Sequence, residues 1–218
     1  MQTENYLDLS KTIASEIFSG LSYPWEALPK IKDFILNLGP KLPKDEFEEI
    51  KENVWVSKEA VIANSAFIAG PTIICKGTEI RHCAFIRGSV IVGENCVVGN
   101  STELKNAILF NNVQVPHFNY IGDSILGFKA HFGAGSIVSN VKSDKSNVSV
   151  LINGNKTDTG LRKFGAIVAD YVEIGCNAVL NPGTIIGRNS NVYPTSMVRG
   201  VIGENMIFKA QGNIVKKI

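Results

Sequence analysis

The chain lacks what a nucleic-acid or membrane-surface protein needs. Its 22 Lys and Arg are nearly matched by 20 Asp and Glu, for a formal net charge of +2. No stretch gathers basic residues with interleaved aromatics, so neither a nucleic acid nor a membrane has an electrostatic footprint here. No apolar run approaches membrane-spanning length, and MQTENYLDLSK at the start has no basic stretch leading into an apolar one. A cytoplasmic protein without membrane partners is the expectation. The four cysteines, Cys75, Cys83, Cys96 and Cys176, show no C-x-x-C spacing, and the first three fall where buried free thiols are the ordinary explanation. There is no G-x-S-x-G, and the only cysteine beside a histidine is at His82-Cys83, so nothing marks a covalent nucleophile. At 218 residues the chain is long enough for one sizeable domain plus an appendage, with no need of disulfides or metal to fold.

What the chain does have is a rhythm of six. Val56, Ile62, Ile68, Ile74, Ile80, Ile86, Val92, Val98 and Leu104 are aliphatic at every sixth position, and the beat returns at Val168, Ile174, Leu180, Ile186, Val192 and Val198. Neither a helical nor a simple strand period gives that spacing. A hexapeptide parallel β-helix does: each hexad is a short strand plus a turn, three hexads close a triangular coil, and the aliphatic residue points inward. Coils then stack at about 4.8 Å. A β-sandwich would want turn signals at irregular intervals of roughly 8–12 residues. Handedness does not follow, since parallel crossovers in general are right-handed in about 98% of cases.

Around this mainly β body the sequence predicts three parts. Residues 1–53 read as a helical cap over one end of the solenoid: Leu9, Ile13, Ile17 and Phe18 recur at helical spacing, Pro24-Trp25-Glu26 opens a second helix that Gly39-Pro40 closes, and a third is expected around Asp45 to Ile50. The solenoid itself spans 54–200, with an inserted loop or hairpin at about 141–161, two short strands around Asn153-Gly154. A loop this long in a compact repeat is usually functional. The tail, 201–218, reads as two strands around Gln211-Gly212-Asn213 that leave the solenoid.

The rhythm breaks step between Glu103 and Asn140. Leu104 and Phe110 keep the step of six, Val115 and Ile121 resume it one residue early, and Leu126, Phe132 and Val138 follow a second short step. Residues 18 apart lie above one another on a three-hexad coil, so Arg87 and Lys105 stack as two cations that an anionic ligand would reconcile. Across the slip, Tyr120 falls one coil above Glu103, with His117 three residues earlier. A carboxylate, a phenol, an imidazole and two cations are thus expected around one vertex, and an imidazole titrating near neutrality suits a general base.

These residues carry a resemblance. RGSVIVGENCVVGNSTELKNAILFNNVQVPHFNYIGDSILGFKAHFGAGSIVSN, and after the insertion TDTGLRKFGAIVAD, resemble the acetyltransferase half of the bifunctional glucosamine-1-phosphate acetyltransferase/N-acetylglucosamine-1-phosphate uridylyltransferases, closest to the archaeal-type sugar-1-phosphate nucleotidylyltransferase/acetyltransferases. The resemblance implies a left-handed β-helix, a homotrimer with sites between neighbouring prisms, acetyl-CoA as co-substrate and an amino-sugar phosphate as acceptor. It implies His117 as the base, Glu103 positioning His117 or the sugar, Arg87 and Lys105 on the phosphate, and Tyr120 and Asn140 on the acceptor. Gly133, Ala134 and Gly135 would admit the acetyl donor to the backbone, with Lys156 and Lys163 on its phosphates. His131 stands where the bacterial enzymes carry asparagine, which bears on the acceptor. Nothing here resembles the glycine- and basic-rich signature of the nucleotidyltransferase domain; about fifty helical residues stand in its place, and the chain is not expected to make the UDP-sugar.

Two other classes compete. The solenoid is either catalytic or a non-catalytic trimeric module that binds sugar phosphates. A zinc lyase of the trimeric carbonic anhydrase type would draw on His82, His117 and His131, but the hexad count sets His117 and His131 on different sides of the coil.

Overall fold

A computed structural model describes residues 2–152 and 154–217. Its body is a parallel β-solenoid of three walls. The first wall begins with Val54–Ser57, Thr72–Ile74 and Val90–Val92, the second with Val61–Ile62, Glu79–Ile80 and Val97–Asn100, and the third with Phe67–Ile68 and Phe85–Ile86. Fourteen of the fifteen aliphatic beats are buried, and Ile62 packs against the core from the open end. The corners repeatedly take a left-handed residue, asparagine more often than any other side-chain-bearing type, such as Asn95, Asn177, Asn189 and Asn205. Asparagine tolerates that region better than other side-chain-bearing residues.

The first wall is apolar on both faces. Side chains alternate across a strand, so the residue before each inward beat faces out, and on this wall it is isoleucine six times: Ile73, Ile91, Ile108, Ile125, Ile167 and Ile185. They stack in register and are fully buried. Burying one such side chain stabilises by about 1.5–3 kcal/mol, so this column needs a cover. The N-terminal segment is that cover. Its single α-helix, Ile31–Leu38, packs across the strands at 90–92 and 103–109, and Pro24–Lys30 lies on Tyr120–Leu126. Trp25, Leu28, Ile31 and Ile35 are buried there; Phe18 meets Phe110 and Trp25 meets Phe164 at 6.0 and 5.8 Å between ring centres.

The expected helical cap over residues 1–53 therefore becomes a strap along one side. Leu9–Lys11, Ser15–Phe18 and Pro24–Lys30 are 3₁₀ turns, and Pro29 inside the last of them removes an amide donor that an α-helix would use. The helix expected around Asp45 to Ile50 is instead a strand, Phe47–Lys51, antiparallel to Val54–Ser57. It covers the edge that the lowest coil would otherwise leave open.

One buried carboxylate ties the strap down. Asp170 is 2% exposed and accepts the backbone N–H groups of Asp8 and Phe128, each at 2.8 Å, with the Arg188 guanidinium at 3.0 Å. Burial pushes its carboxyl above the usual range, against the pull of these three partners. Arg188 also donates to the Tyr6 carbonyl.

The lost residues of the rhythm are at corners. In register the inward residues run Leu104 to Leu109, then Ile121 to Leu126. The short step therefore falls between Leu104 and Leu109, one hexad earlier than the sequence indicated, and Phe110, expected inward, sits just after the beat under the strap. Glu103–Leu109 and Tyr120–Leu126 each pass unbroken from the third wall to the first, with Asn106 and Asp123 left-handed at the bend (φ 49° and 48°). The insertion leaves this same corner after Asn140 and returns at Phe164; a bridge between Val141 and Lys163 closes its neck. Ser149–Ile152 and Asn155–Asp158 form the expected hairpin, seated by buried Val148 and Val150; Asn153 of the expected turn lies outside the described residues.

The solenoid also runs past residue 200. Val201–Ile202 and Met206–Ala210 still stack as coil strands, with Ile202 and Phe208 inward; only Asn213–Lys216 turns back, antiparallel. A step of four from Val198 to Ile202 hides this continuation from a count of six.

Two measurements check this arrangement. Asp170→Ala leaves two N–H groups of the strap attachment without their acceptor and should lower the unfolding free energy in urea by about 2–4 kcal/mol. Of the thiols, Cys83, expected inside, stands exposed in the left-handed conformation at a turn, and Cys176 is exposed beside the left-handed Asn177. Cys75 and Cys96 are buried, and burial pushes the Cys75 thiol up to about 12 and Cys96 higher still. A thiol reagent at pH 8 should therefore titrate Cys83 and Cys176 in the folded protein and all the cysteines in denaturant.

Candidate active site

The polar residues singled out by the broken rhythm flank the third wall rather than one vertex. His117 ends the second-wall strand Gln114–His117, at the corner where the third wall begins; Arg87, Lys105 and Asp123 lie at the corner where it ends. Between the two corners, Glu103 and Tyr120 are register partners on successive coils, as the sequence indicated. The outward column they occupy is otherwise apolar, with Phe85 below and Ile137 above.

The His117 corner is held by its neighbours. Phe118 takes the left-handed conformation (φ 53°). Asn119, 2% exposed, donates to the Gly133 carbonyl at 2.9 Å and to Ser136 Oγ at 3.0 Å, and its Oδ1 accepts the His117 N–H at 3.2 Å. The His117 carbonyl accepts from the Gly135 N–H of the next coil. The side chain is exposed, and among the described residues its ring has no hydrogen-bond partner. The other histidines are engaged: His82 Nδ1 lies 3.1 Å from Ser65 Oγ, and His131 Nδ1 lies 2.7 Å from Glu173. His117 and His131 are on successive strands of the second wall, not on different sides: Gln114 is the register partner of His131, which places the histidines at opposite ends. No group of three His, Cys, Asp or Glu among the described residues is placed to hold a metal ion.

At the far corner the stacked cations are not waiting for an anion. Arg87 Nη1 lies 2.8 Å from Glu103, and Lys105 Nζ lies 3.0 Å from each oxygen of Asp123. The repulsion between them is offset by two carboxylates, and the cluster is close to neutral. Glu103, expected to position His117 or the sugar, is taken by Arg87. Asp123 also accepts from Asn106 Nδ2 at 2.9 Å and from the amide of Asn140, which reaches the Tyr120 hydroxyl at 3.2 Å as well. Burial, then the nearby carboxylates, push the Tyr120 phenol upward. Gly122 makes this meeting possible, because a Cβ there would strike both Tyr120 Oη and Asn140 Nδ2.

Asn106, Asn119 and Asp123 are additions that the sequence reading missed. The signal for two of them was a column, Gly88, Asn106, Asp123 and Asn140, each two residues after one of the inward beats Ile86, Leu104, Ile121 and Val138. The remaining expected residues scatter. His131 stands apart from the cluster within the chain. Lys163 is exposed at the neck of the insertion, and Lys156 is exposed on the hairpin. Gly133 is buried, and a Cβ on it would lie 2.6 Å from the Cys176 backbone nitrogen, so its lack of a side chain serves coil stacking. Gly135 is a left-handed turn residue at φ 72°.

A family model described as the GMPPB C-terminal domain matches residues 68–160, a span holding both corners and the hairpin. The bifunctional protein GlmU of Methanococcus vannielii is 32% identical over 207 residues, 92% of this chain and 49% of that protein. GlmU of Methanococcus maripaludis is 34% identical, covering 92% of this chain and 49% of its own length. The bifunctional sugar-1-phosphate nucleotidylyltransferase/acetyltransferase of Sulfurisphaera tokodaii is 33% identical over 161 residues, 74% of this chain and 40% of that protein. The chain is related to the GlmU proteins. It spans about half the length of the curated relatives it matches. A match over 92% of the chain also reaches into the first fifty residues. Among solved structures, the acetyltransferase domain of PglB from Neisseria gonorrhoeae is 9% identical, covering 87% of this chain and 66% of that one, at a TM-score of 0.35.

Gly133→Ala separates coil stacking from donor access. It should cost about 1–3 kcal/mol of stability by overpacking, read as a lowered thermal midpoint. An unchanged midpoint with only a raised KM for a CoA thioester would return Gly133 to the donor site.

Proposed function

We propose that this protein acetylates the amine of an amino-sugar phosphate, glucosamine-1-phosphate or a close relative, using acetyl-CoA, as a cytoplasmic homotrimer serving sugar-nucleotide or cell-envelope precursor synthesis. The observation that carries this reading is the state of the imidazoles: two are hydrogen-bonded away, while His117 is exposed and unengaged on a corner fixed by Asn119. The acetyltransferase in the name of the Sulfurisphaera tokodaii relative supplies the reaction class.

An amine attacks only as the free base, so a group must carry off its proton. The imidazole of His117 takes that proton as the nitrogen bonds to the thioester carbonyl carbon. The tetrahedral oxyanion then collapses, the C–S bond breaks, and the thiolate leaves with the proton from the imidazolium, giving the amide and free CoA. Tyr120 and Asn140 offer polar contacts to the acceptor. Its phosphate falls to Arg87, the more exposed cation (46% against 25% for Lys105), whose guanidinium spends a single nitrogen on Glu103. Exposed apolar residues along the outer face of the third wall, Phe67, Phe85 and Met197, support burial against a second copy. No helix among the described residues is long and apolar enough to cross a membrane.

The test is thiol release from acetyl-CoA across a panel of amino-sugar phosphates, with sedimentation to fix the assembly. His117→Ala should lower turnover by a factor on the order of 10²–10⁴ with the oligomer intact. Undiminished acetylation by that variant would exclude His117 as the base. No thiol release from any acceptor would favour a sugar-phosphate-binding module without catalysis.

A further inference from the structure

We infer that Asp123 is a positioning residue that sets Lys105 and Asn140 for the acceptor; this rests on the acetyl-transfer reading above. Asp123 is a buried acid, its side chain 5% exposed, at the corner where the repeat loses its residue. Its two oxygens take four contacts from the coils on either side: both to Lys105 Nζ and one to Asn106 below, and one to Asn140 above. A buried carboxylate costs free energy unless it is paired and hydrogen-bonded, so the carboxylate and its donors hold one another in place.

The chemistry of each partner shows what this grip does. An ammonium has three donors; two contacts of Lys105 go to Asp123, which leaves one direction for an acceptor oxygen. The Asn140 amide is split between Asp123 and the Tyr120 hydroxyl, so its carbonyl oxygen is the group turned free for an acceptor hydroxyl or amine. Asp123 also neutralises Lys105 in advance, which leaves Arg87 as the cation able to exchange its exposed carboxylate for a phosphate. Without Asp123, Lys105 would be a mobile charge in competition with Arg87, and the Asn140 amide would lose its orientation.

The inference is tested with Asp123→Asn, Lys105→Met and the double variant, and with Asn106→Gly, which keeps the left-handed corner and removes one donor. The acceptor KM should rise about 10- to 100-fold in Asp123→Asn, as expected for losing a hydrogen bond to a charged group, with the acetyl-CoA KM and thermal midpoint near wild type. The double variant should lose less than the two single variants' losses combined, because Asp123 acts in part through Lys105, and Asn106→Gly should move the acceptor KM part of the way. Amine labelling read by mass spectrometry gives a measure independent of turnover: Lys105 should react slowly beside Lys156 in the wild type and lose that protection in Asp123→Asn. Unchanged labelling overturns the grip on Lys105. Changed labelling with an unmoved acceptor KM, or equal losses in both KM values and in stability, reduces Asp123 to a structural residue. A wild type that acetylates nothing while its Lys105 labelling responds to Asp123→Asn overturns the acetyl-transfer reading and the acceptor role with it, but not the grip.

Discussion

Everything in this molecule depends on the parallel register between coils. A main-chain bond such as Arg87 N–H to the Leu104 carbonyl turns a sequence separation of 17 or 18 into a contact of one strand spacing. Side chains at that separation become columns. A one-residue slip within a strand would turn every inward side chain outward, so the chain can shorten only where no alternation is interrupted. It does so at Asn106 and Asp123, left-handed corner residues of types that bear this conformation at small cost. The inward beats on either side stay inward, and the shortened corners gather polar side chains that full-length coils would not.

The same columns explain the strap. A wall of parallel strands is ordinarily covered on both faces, and here the outer face of the first wall is isoleucine in six coils. A segment that covers such a wall must follow its length, crossing coils rather than winding with them. Flat 3₁₀ turns with prolines and one short helix suit that course better than a bundle of helices. Asp170, gripping Asp8 from the strap and Phe128 and Arg188 from the coils, joins the cover to the stack.

This also accounts for what the sequence disclosed. The hexad beats, the hairpin in the insertion and the stacking of Tyr120 on Glu103 were legible, because each depends on local spacing. The strap was not: its apolar periodicity is real, but whether it covers an end or a side depends on the outward column Ile73, Ile91 and Ile108, which a search for inward beats passes over. Phe110 was misread because it is as apolar as Leu109 and stands on the expected beat of six. The ion pairs were missed for a related reason. Arg87 and Lys105 are 18 apart and look like unrelieved cations, whereas Glu103 lies 16 residues beyond Arg87, two places short of its register position, and Asp123 lies 18 beyond Lys105 across the slip, one place past its register partner Gly122.

The neutrality of that corner limits what it can recognise. Two free cations would attract any anion, including the phosphates of a donor or of nucleotides in bulk solution. Two cations already paired attract none strongly, and a ligand must replace a carboxylate with something that fits better. Glu103 is on the exposed pair, where an ion pair contributes only about 0–1 kcal/mol, so a phosphate can displace it from Arg87 at small cost. Asp123 is buried and held from the coils below and above, so it does not yield Lys105. The asymmetry gives the corner one exchangeable cation and one fixed one, and the fixed one stands beside Asn140 and Tyr120, where an acceptor's hydroxyls rather than its charge would be read. On the acetyl-transfer proposal, selectivity would come from the geometry of a sugar ring between two anchors, with the anion alone too weakly held to compete.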